Sequence, residues 1–502
     1  MSVDDQRRRL SAWIRDREPK DDAVLRETHV SILAFTADRV WKCKKAVRFP
    51  FIDLSTVERR GANCEREVAL NRRLAPDVYL GVEPVLDDAG GVVDYLVEMR
   101  RLPDDRRLSA VIGGGTEVGG ECVDAIADRL VRFHADARTG PDVDASATPD
   151  ALGALWSRSI EEVRSYLPTE PNARTVDQID LDAGRYLTGR APLFADRIAG
   201  GRIRDGHGDL LAGDVFCLTD GPRILDCLEF DDQLRFGDVI ADIAFLAMDL
   251  ERLGRPDLAR RLLDRYRGGS GEQWPSSLEH FYVAYRALVR AKVASLRMAD
   301  DAAAGSEARG LLDLAASHLV AGRVHLVVIG GPPATGKSTL ARAIAALTGW
   351  PVLRSDEVRK ELAGIEPTRS AAAPLGSGLY TDAWTDRTYA ELLDRSRVVL
   401  EHGSSVILDA SWSASRHRSE AENLAAVTAS ELSTFVCAVA PRIADERAAA
   451  RALGGRDASD ASQPIAAELR AAFTSWPGAV ILDTSVPSDR VAREVVARRG
   501  WA

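Results

Sequence analysis

Cysteine is scarce and scattered in this chain. Cys43, Cys64, Cys122, Cys217, Cys227 and Cys437 form no CxxC and no Cys/His ligand spacing, so neither a structural zinc nor a disulfide framework is expected, and the compartment is read as reducing. Long apolar runs are missing too: nothing approaches the 18 or so residues of a membrane span, and the opening MSVDDQRRRL has no apolar segment of a secretion signal. A cytoplasmic protein without a membrane partner is expected. Positive charge is in deficit, with 66 Lys and Arg against 76 Asp and Glu and a net charge of −10, which argues against nucleic acid or anionic lipid as a partner. Any anion it binds needs a dedicated local site. There is no fixed-period repeat and no low-complexity tract. What remains is a chain of 502 residues, 45% apolar and 28% charged, too long for one core and globular in composition.

The pattern along the chain changes four times. HVSILAFTADRVWKCKKAVR reads as a β-hairpin, STVERRGANCEREVALNRRLA as a helix with Ser55 as N-cap, and YLGVEPVLDDAGGVVDYLVEMRRL as two further strands. Residues from about 105 to 200 and from about 238 to 320 read as helices. Between them VFCLTDGPRILDCLEF reads as a hairpin turning at Asp220 to Arg223. At residue 324 the pattern becomes alternating apolar strands and helices, as in a doubly wound α/β sheet. The domains expected are 1–320, with an N-lobe of about 1–104 and a C-lobe of about 105–320, and 321–502.

The C-terminal region carries the most specific motif. Gly331, Pro332, Pro333, Ala334, Thr335, Gly336, Lys337 and Ser338, followed by Thr339, fit G-x-x-x-x-G-K-[ST] between a strand and a helix. Backbone N–H groups there can wrap a phosphate, Lys337 can neutralise its oxygens and Ser338 can ligate Mg²⁺. Asp409 closes the apolar run SSVILD, where a P-loop fold places its second magnesium ligand. In LRSDEVRK, Asp356 is placed to take an acceptor proton and Arg359 to hold substrate. Arg447 and Arg451 share one helical face, suited to closing over phosphate, although taken without the rest of the domain they read more simply as solvated charge. With GPPATGKST, RSDEVRK and ILDAS, residues 323–502 resemble the small P-loop kinases of the zeta-toxin-like and gluconate-kinase-like type.

A second constellation lies upstream. His207-Gly-Asp209-Leu-Leu-Ala-Gly-Asp214, followed by a hairpin ending in acids, has the order of a kinase-like catalytic loop. In that order Asp209 orients and deprotonates an acceptor hydroxyl, Asp214 ligates Mg²⁺ and Asp226 or Glu229 holds the metal bridging the phosphates. Two acids three apart in an extended strand point to opposite faces, so one of the two is expected to reach the metal, with Asp226 preferred. Lys42 and Lys44 share a strand face, and Glu67 on the next helix is expected to pair with Lys44. His207, His134, Asp238 and Asp242 read as structural groups.

HGDLLAGD and GDVIADIA resemble the aminoglycoside phosphotransferase family, with Asp214 standing where that family has asparagine. The resemblance implies an adenine contact near Glu98, Met99 and Arg100. Taken together, the chain resembles bifunctional aminoglycoside-phosphotransferase-like/P-loop (zeta-toxin-like, AAA-type) ATP-binding proteins. This implies a bilobal protein-kinase-like α+β fold followed by a P-loop NTPase parallel sheet, with ATP and Mg²⁺ as cofactors. It also implies a kinase acting on a hydroxylated small molecule such as a sugar, amino sugar or aminoglycoside. The competing expectation is a regulatory protein with a P-loop switch and a degenerate kinase-like ligand-binding domain.

Overall fold

β-Branched and aromatic residues in the first hundred positions build a five-stranded antiparallel sheet in a computed structural model of the chain, ordered Val24–Glu27, Ser31–Phe35, Arg39–Lys44, Val92–Arg100, Tyr79–Leu86. The structure describes residues 3–17, 23–49, 52–113, 116–167, 170–298, 301–366, 377–454, 470 and 473–501. Both faces of the sheet are covered. Leu10, Trp13 and Ile14 of the helix Val3–Arg17 pack with Ile32, Trp41 and Leu96. On the other face Cys64 and Val68 of the helix Val57–Asn71 meet Val40, Val97 and Met99. That helix is capped by Thr56, whose Oγ1 accepts from Arg59 N at 3.3 Å, one residue beyond the expected Ser55. Ser55 instead turns its hydroxyl onto Asp53 at 2.6 Å.

Helices follow, interrupted by the hairpin Val215–Leu218 and Gly221–Ile224. Its turn is tighter than expected: Pro222 and Arg223 are already paired with Cys217 and Phe216. Strand Val215–Leu218 is bonded to helix Thr116–Asp136 by a Cys122–Cys217 disulfide, with Cα atoms 5.9 Å apart. The expectation of no disulfide is thereby corrected. The partners are 95 residues apart in sequence and are brought together by the fold, a juxtaposition that short-range spacing rules do not register.

The chain resolves into two compact units, and the second comprises Asp177–Ala195, Pro275–Phe281 and Ala316–Ala502. Two stretches from the first 320 residues therefore group with it. Inside this unit Arg190 donates to Thr428 O at 2.7 Å and Ser277 Oγ to Gly403 O at 2.7 Å. Its sheet is wholly parallel, ordered Val352–Arg354, Val406–Asp409, His325–Gly330, Glu431–Ala438, Val480–Asp483. Alternate residues of the central strand feed two cores: Leu326 and Val328 pack with Leu392 and Leu424, whereas Val327 and Ile329 pack with Leu340, Ile344 and Val495. A protein-kinase-like α+β fold and a P-loop parallel-sheet fold thus occupy one polypeptide. Among the described residues no helix is long and apolar enough to cross a membrane.

Candidate active sites

The lysine strand of the first unit presents Lys42 and Lys44 two residues apart, hence on one face. Both reach Glu67: Lys42 Nζ lies 2.7 Å from Glu67 Oε1 and Lys44 Nζ 2.5 Å from Oε2. Sequence reasoning set one lysine against the other, but the fully buried carboxylate forms ion pairs with both, its hydrogen bond coming from Lys42. Each lysine also holds a second acid, Lys42 with Asp226 at 2.9 Å and Lys44 with Glu229 at 2.6 Å. Burial works against charge here, yet Asp226 and Glu67 keep Lys42 well above its ordinary value, and Glu67 and Glu229 hold Lys44 above its own.

The segment carrying these acids is not an extended strand. Asp226 has φ of 64° and is fixed on both sides, its N–H donating to Tyr79 Oη at 3.3 Å and the next N–H, of Cys227, to Asn71 Oδ1 at 2.9 Å. This turn brings both acids to the lysines and corrects the expectation that they diverge. Glu229 is buried against Lys44, whereas the Asp226 side chain is half open to the cleft. Tyr79 and Asn71 carry no motif, and only the fold reveals their role.

The loop from His207 to Asp214 is held from behind by the helix Val239–Arg252. Asp242 accepts from His207 N and Gly208 N, each at 2.8 Å, and lies 3.0 Å from His134 Nε2. Asp249 accepts from Ala212 N at 2.9 Å. Asp238 caps the helix through Ile240 N and pairs with Arg197. The sequence expectation of structural roles describes Asp238 and His134 well, but Asp242 in addition shapes the catalytic-type loop directly. His207 is fully buried, and desolvation brings its pKa down to about 4. It accepts from Asp209 N through Nδ1 and donates from Nε2 to Leu225 O at 3.1 Å.

Asp209, Asp214 and Asp226 line one cleft of about 430 Å³ with Lys42, Lys44, Glu229, Met99 and Arg100. Burial, with Asp226 adding to it, pushes the Asp209 carboxyl up to about 6, and the Asp214 carboxyl is driven to about 8 by burial and its two acidic neighbours. Glu98 is not among the residues lining this cleft, and its carboxylate accepts from Arg39 Nε at 2.9 Å. Among the described residues no three His, Cys, Asp or Glu side chains converge as a metal cage. A magnesium ion that keeps phosphate oxygens and water needs only one or two carboxylates; Asp209 and Asp214, each raised by burial and by acidic neighbours, and Asp226, held ionised by Lys42, suit such an ion.

In the second unit the loop after strand His325–Gly330 turns through positive φ at Gly331 (129°), Ala334 (65°) and Gly336 (92°), the backbone shape that gathers N–H groups into an anion nest. Helix Lys337–Thr348 begins at its end. Lys337 Nζ donates to Pro332 O at 2.9 Å, and Thr484 Oγ1 donates to Thr335 O, tying the loop to the last strand. The loop lines a cleft of about 630 Å³ with Asp356, Arg359, Tyr389, Asp409 and Arg447. Arg447 Nη2 donates to Thr484 O at 2.7 Å beside Gly336; the side chain of Arg451 lies outside the described residues. Burial, aided by Asp409, raises Asp356 above the usual carboxylate range against the pull of Lys337.

Sequence reasoning passed over Arg354. Its guanidinium donates to Asp409 Oδ2 at 3.1 Å and to Ser338 Oγ at 3.3 Å, and is anchored to Glu357 at 2.7 Å. One guanidinium thus touches both residues expected to ligate magnesium. Arg359 donates to Leu379 O at 2.7 Å and lies 5.0 Å from the Tyr380 ring. Tyr389 stacks on His417 with centroids 4.0 Å apart, giving that end of the cleft an aromatic wall.

Residues 326–475 match the family described as AAA domain. The uncharacterized protein Rv2004c of Mycobacterium tuberculosis is 41% identical over 468 residues, covering 93% of each chain. Mb2027c of Mycobacterium bovis, also named as an uncharacterized protein, matches to the same extent. Among solved structures, the GDP complex of aminoglycoside 2'-phosphotransferase-IIIa covers 61% of this chain and 97% of its own, at 15% identity and a TM-score of 0.37. A gluconokinase from Sinorhizobium meliloti covers 35% and 91%, at 18% identity and a TM-score of 0.26.

Proposed function

The chain belongs to the family of the mycobacterial protein Rv2004c, and we propose that it is an ATP-dependent phosphotransferase acting on alcohol groups of small molecules, with one nucleotide site in each unit. The observation that carries this reading is repeated in two unrelated scaffolds. In each, a half-buried carboxyl raised above its ordinary range lies in a cleft with a lysine and a second carboxylate. That is the equipment for deprotonating an alcohol beside a polyphosphate.

In the first unit Lys42, oriented by Glu67, contacts the phosphates, and Met99 and Arg100 border the base. Asp209 accepts the proton of the acceptor hydroxyl. The oxygen bonds to the γ-phosphorus as the bond to the β–γ bridging oxygen breaks, and ADP leaves with that electron pair. In the second unit the loop N–H groups and Lys337 cradle the phosphates, Asp356 takes the acceptor proton, Arg359 holds the acceptor and Arg447 approaches the phosphates from the lid side. Asp214 and Asp226 in one unit, and Ser338 and Asp409 in the other, would hold Mg²⁺, which supplies charge neutralisation on the phosphate oxygens.

A second reading, in which the P-loop is a switch and the kinase-like unit only binds ligand, draws on Asp214, a carboxylate that intensifies repulsion in an already acidic cleft. ATP turnover by the full chain, Asp209→Ala and Lys337→Ala across a library of sugars and amino sugars separates the two. Acceptor-stimulated turnover that falls about 100- to 10,000-fold in one variant supports transfer by that unit. Turnover that no acceptor stimulates favours the switch.

A further inference from the structure

Lys44 and Glu229 are buried ionisable groups of the first unit that the transfer step does not use. Lys44 is 0% exposed and Glu229 8%. Their side chains meet at 2.6 Å although 185 positions separate them in sequence. Lys44 ends the strand Arg39–Lys44, and its ammonium also lies 2.5 Å from Oε2 of Glu67 on the helix Val57–Asn71. Glu229 closes the short segment that begins with the left-handed turn at Asp226. One residue before it, Leu228 N donates to His207 O at 3.2 Å and Leu228 O accepts from Arg235 Nη1 at 2.9 Å. Lys44 thus joins the lysine strand, the helix and the segment carrying Asp226 at one point.

Glu67 faces the two lysines through different oxygens, Oε1 towards Lys42 and Oε2 towards Lys44. Lys42 in turn divides itself between Glu67 and Asp226. A metal-bound triphosphate competes with both of those contacts, because phosphate oxygens draw on Lys42 and the metal on Asp226. With Lys42 as its sole counter-ion, Glu67 would become an unpaired buried charge whenever Lys42 turned to phosphate, a strongly unfavourable state. Lys44 and Glu229 keep Glu67 and the 226–229 segment anchored while Lys42 and Asp226 exchange partners.

The charges of this cluster separate such a role from a purely electrostatic one. Two lysines face three carboxylates, Glu67, Asp226 and Glu229, an excess of one negative charge. Removing Lys44 alone doubles the excess, neutralising Glu229 alone cancels it, and doing both leaves it unchanged. Groups acting through charge alone therefore shift metal affinity in opposite directions in the two single variants and not at all in the double variant. A Glu229 that ligated the metal itself would bind it more tightly once Lys44 is gone. Groups acting by position weaken metal binding in all three.

We propose that Lys44 and Glu229 are a pair of positioning residues, a buried latch that holds Glu67 and the turn at Asp226 in place for metal and phosphate before nucleotide arrives. The inference rests on the nucleotide site read above for the first unit and adds two residues to it.

The test uses the full chain with Lys337→Ala, which removes the lysine of the other phosphate site, and calorimetric titration with ADP in EDTA and in Mn²⁺. The ratio of the two affinities measures what the metal adds. Lys44→Met, Glu229→Gln and the double variant should each lower that ratio about tenfold or more, with ADP affinity in EDTA within about threefold. Lys44→Arg, which keeps a cation at the site, should recover part of the loss. The double variant leaves Glu67 paired with Lys42, so it carries the test where a single variant fails to fold. A ratio that moves in opposite directions in Lys44→Met and Glu229→Gln, or that stays at the parent value in the double variant whatever its thermal midpoint, overturns the latch and leaves the nucleotide site standing. Absence of ADP binding to the Lys337→Ala chain overturns both.

Discussion

Two residues illustrate how a buried charge, or its avoidance, sets local behaviour. His207 is fully buried with a pKa near 4, so between about pH 6.5 and 4 the unfolded chain binds a proton that the folded chain refuses. Its contribution is complete above about pH 6.5 and is lost as pH falls towards 4, up to ~3 kcal/mol by that difference. Urea midpoints across that window should therefore fall less steeply in His207→Gln than in the wild type. Arg354 is the opposite case, a cation that compensates buried Asp409. Arg354→Met should cost about 3 kcal/mol without metal, because it strands that carboxylate. Adding Mn²⁺ with ADP should raise the midpoint more in the variant than in the wild type. Equal rises would mean that the guanidinium does not stand in the cation's place.

At the level of elements, the helix Val239–Arg252 organises the first site although it contributes no reacting group. Asp242→Ala removes the acceptor of two loop N–H groups and of a histidine, three partners that cannot all reach water. The expected outcome is a loss of about 3 kcal/mol in urea unfolding, with a fall in kcat larger than any rise in the KM for ATP. A fall in stability with unchanged kcat would reduce the helix to scaffold. Such second-layer roles explain what the sequence withheld. The strands of both sheets, the phosphate loop and the His207–Asp214 loop were legible because apolar alternation and fixed spacings encode them locally. The pairing of Glu67 with both lysines, the left-handed turn at Asp226 and the position of Arg354 were not. Each depends on a neighbour remote in sequence: Lys42 and Asp226 are 184 positions apart and Arg354 and Asp409 are 55 apart.

For the whole molecule, the Cys122–Cys217 bond closes a loop of 95 residues, for which the chain-entropy model gives about 4.7 kcal/mol. Thiol titration of the denatured chain should find four free groups before reduction and six after it. Six from the outset would show that the bond does not form. The strand it grips runs directly on from Asp214, so reduction should also soften the first cleft.

The division of the chain into units has a consequence for its synthesis. Asp177–Ala195 and Pro275–Phe281 belong to a unit whose parallel sheet is encoded from residue 325 onwards. A ribosome releases Tyr186, Phe194 and Phe281, all buried in the finished molecule, well before the strands of their unit exist. During that interval these rings need temporary cover, and the P-loop half cannot mature as an independent late addition.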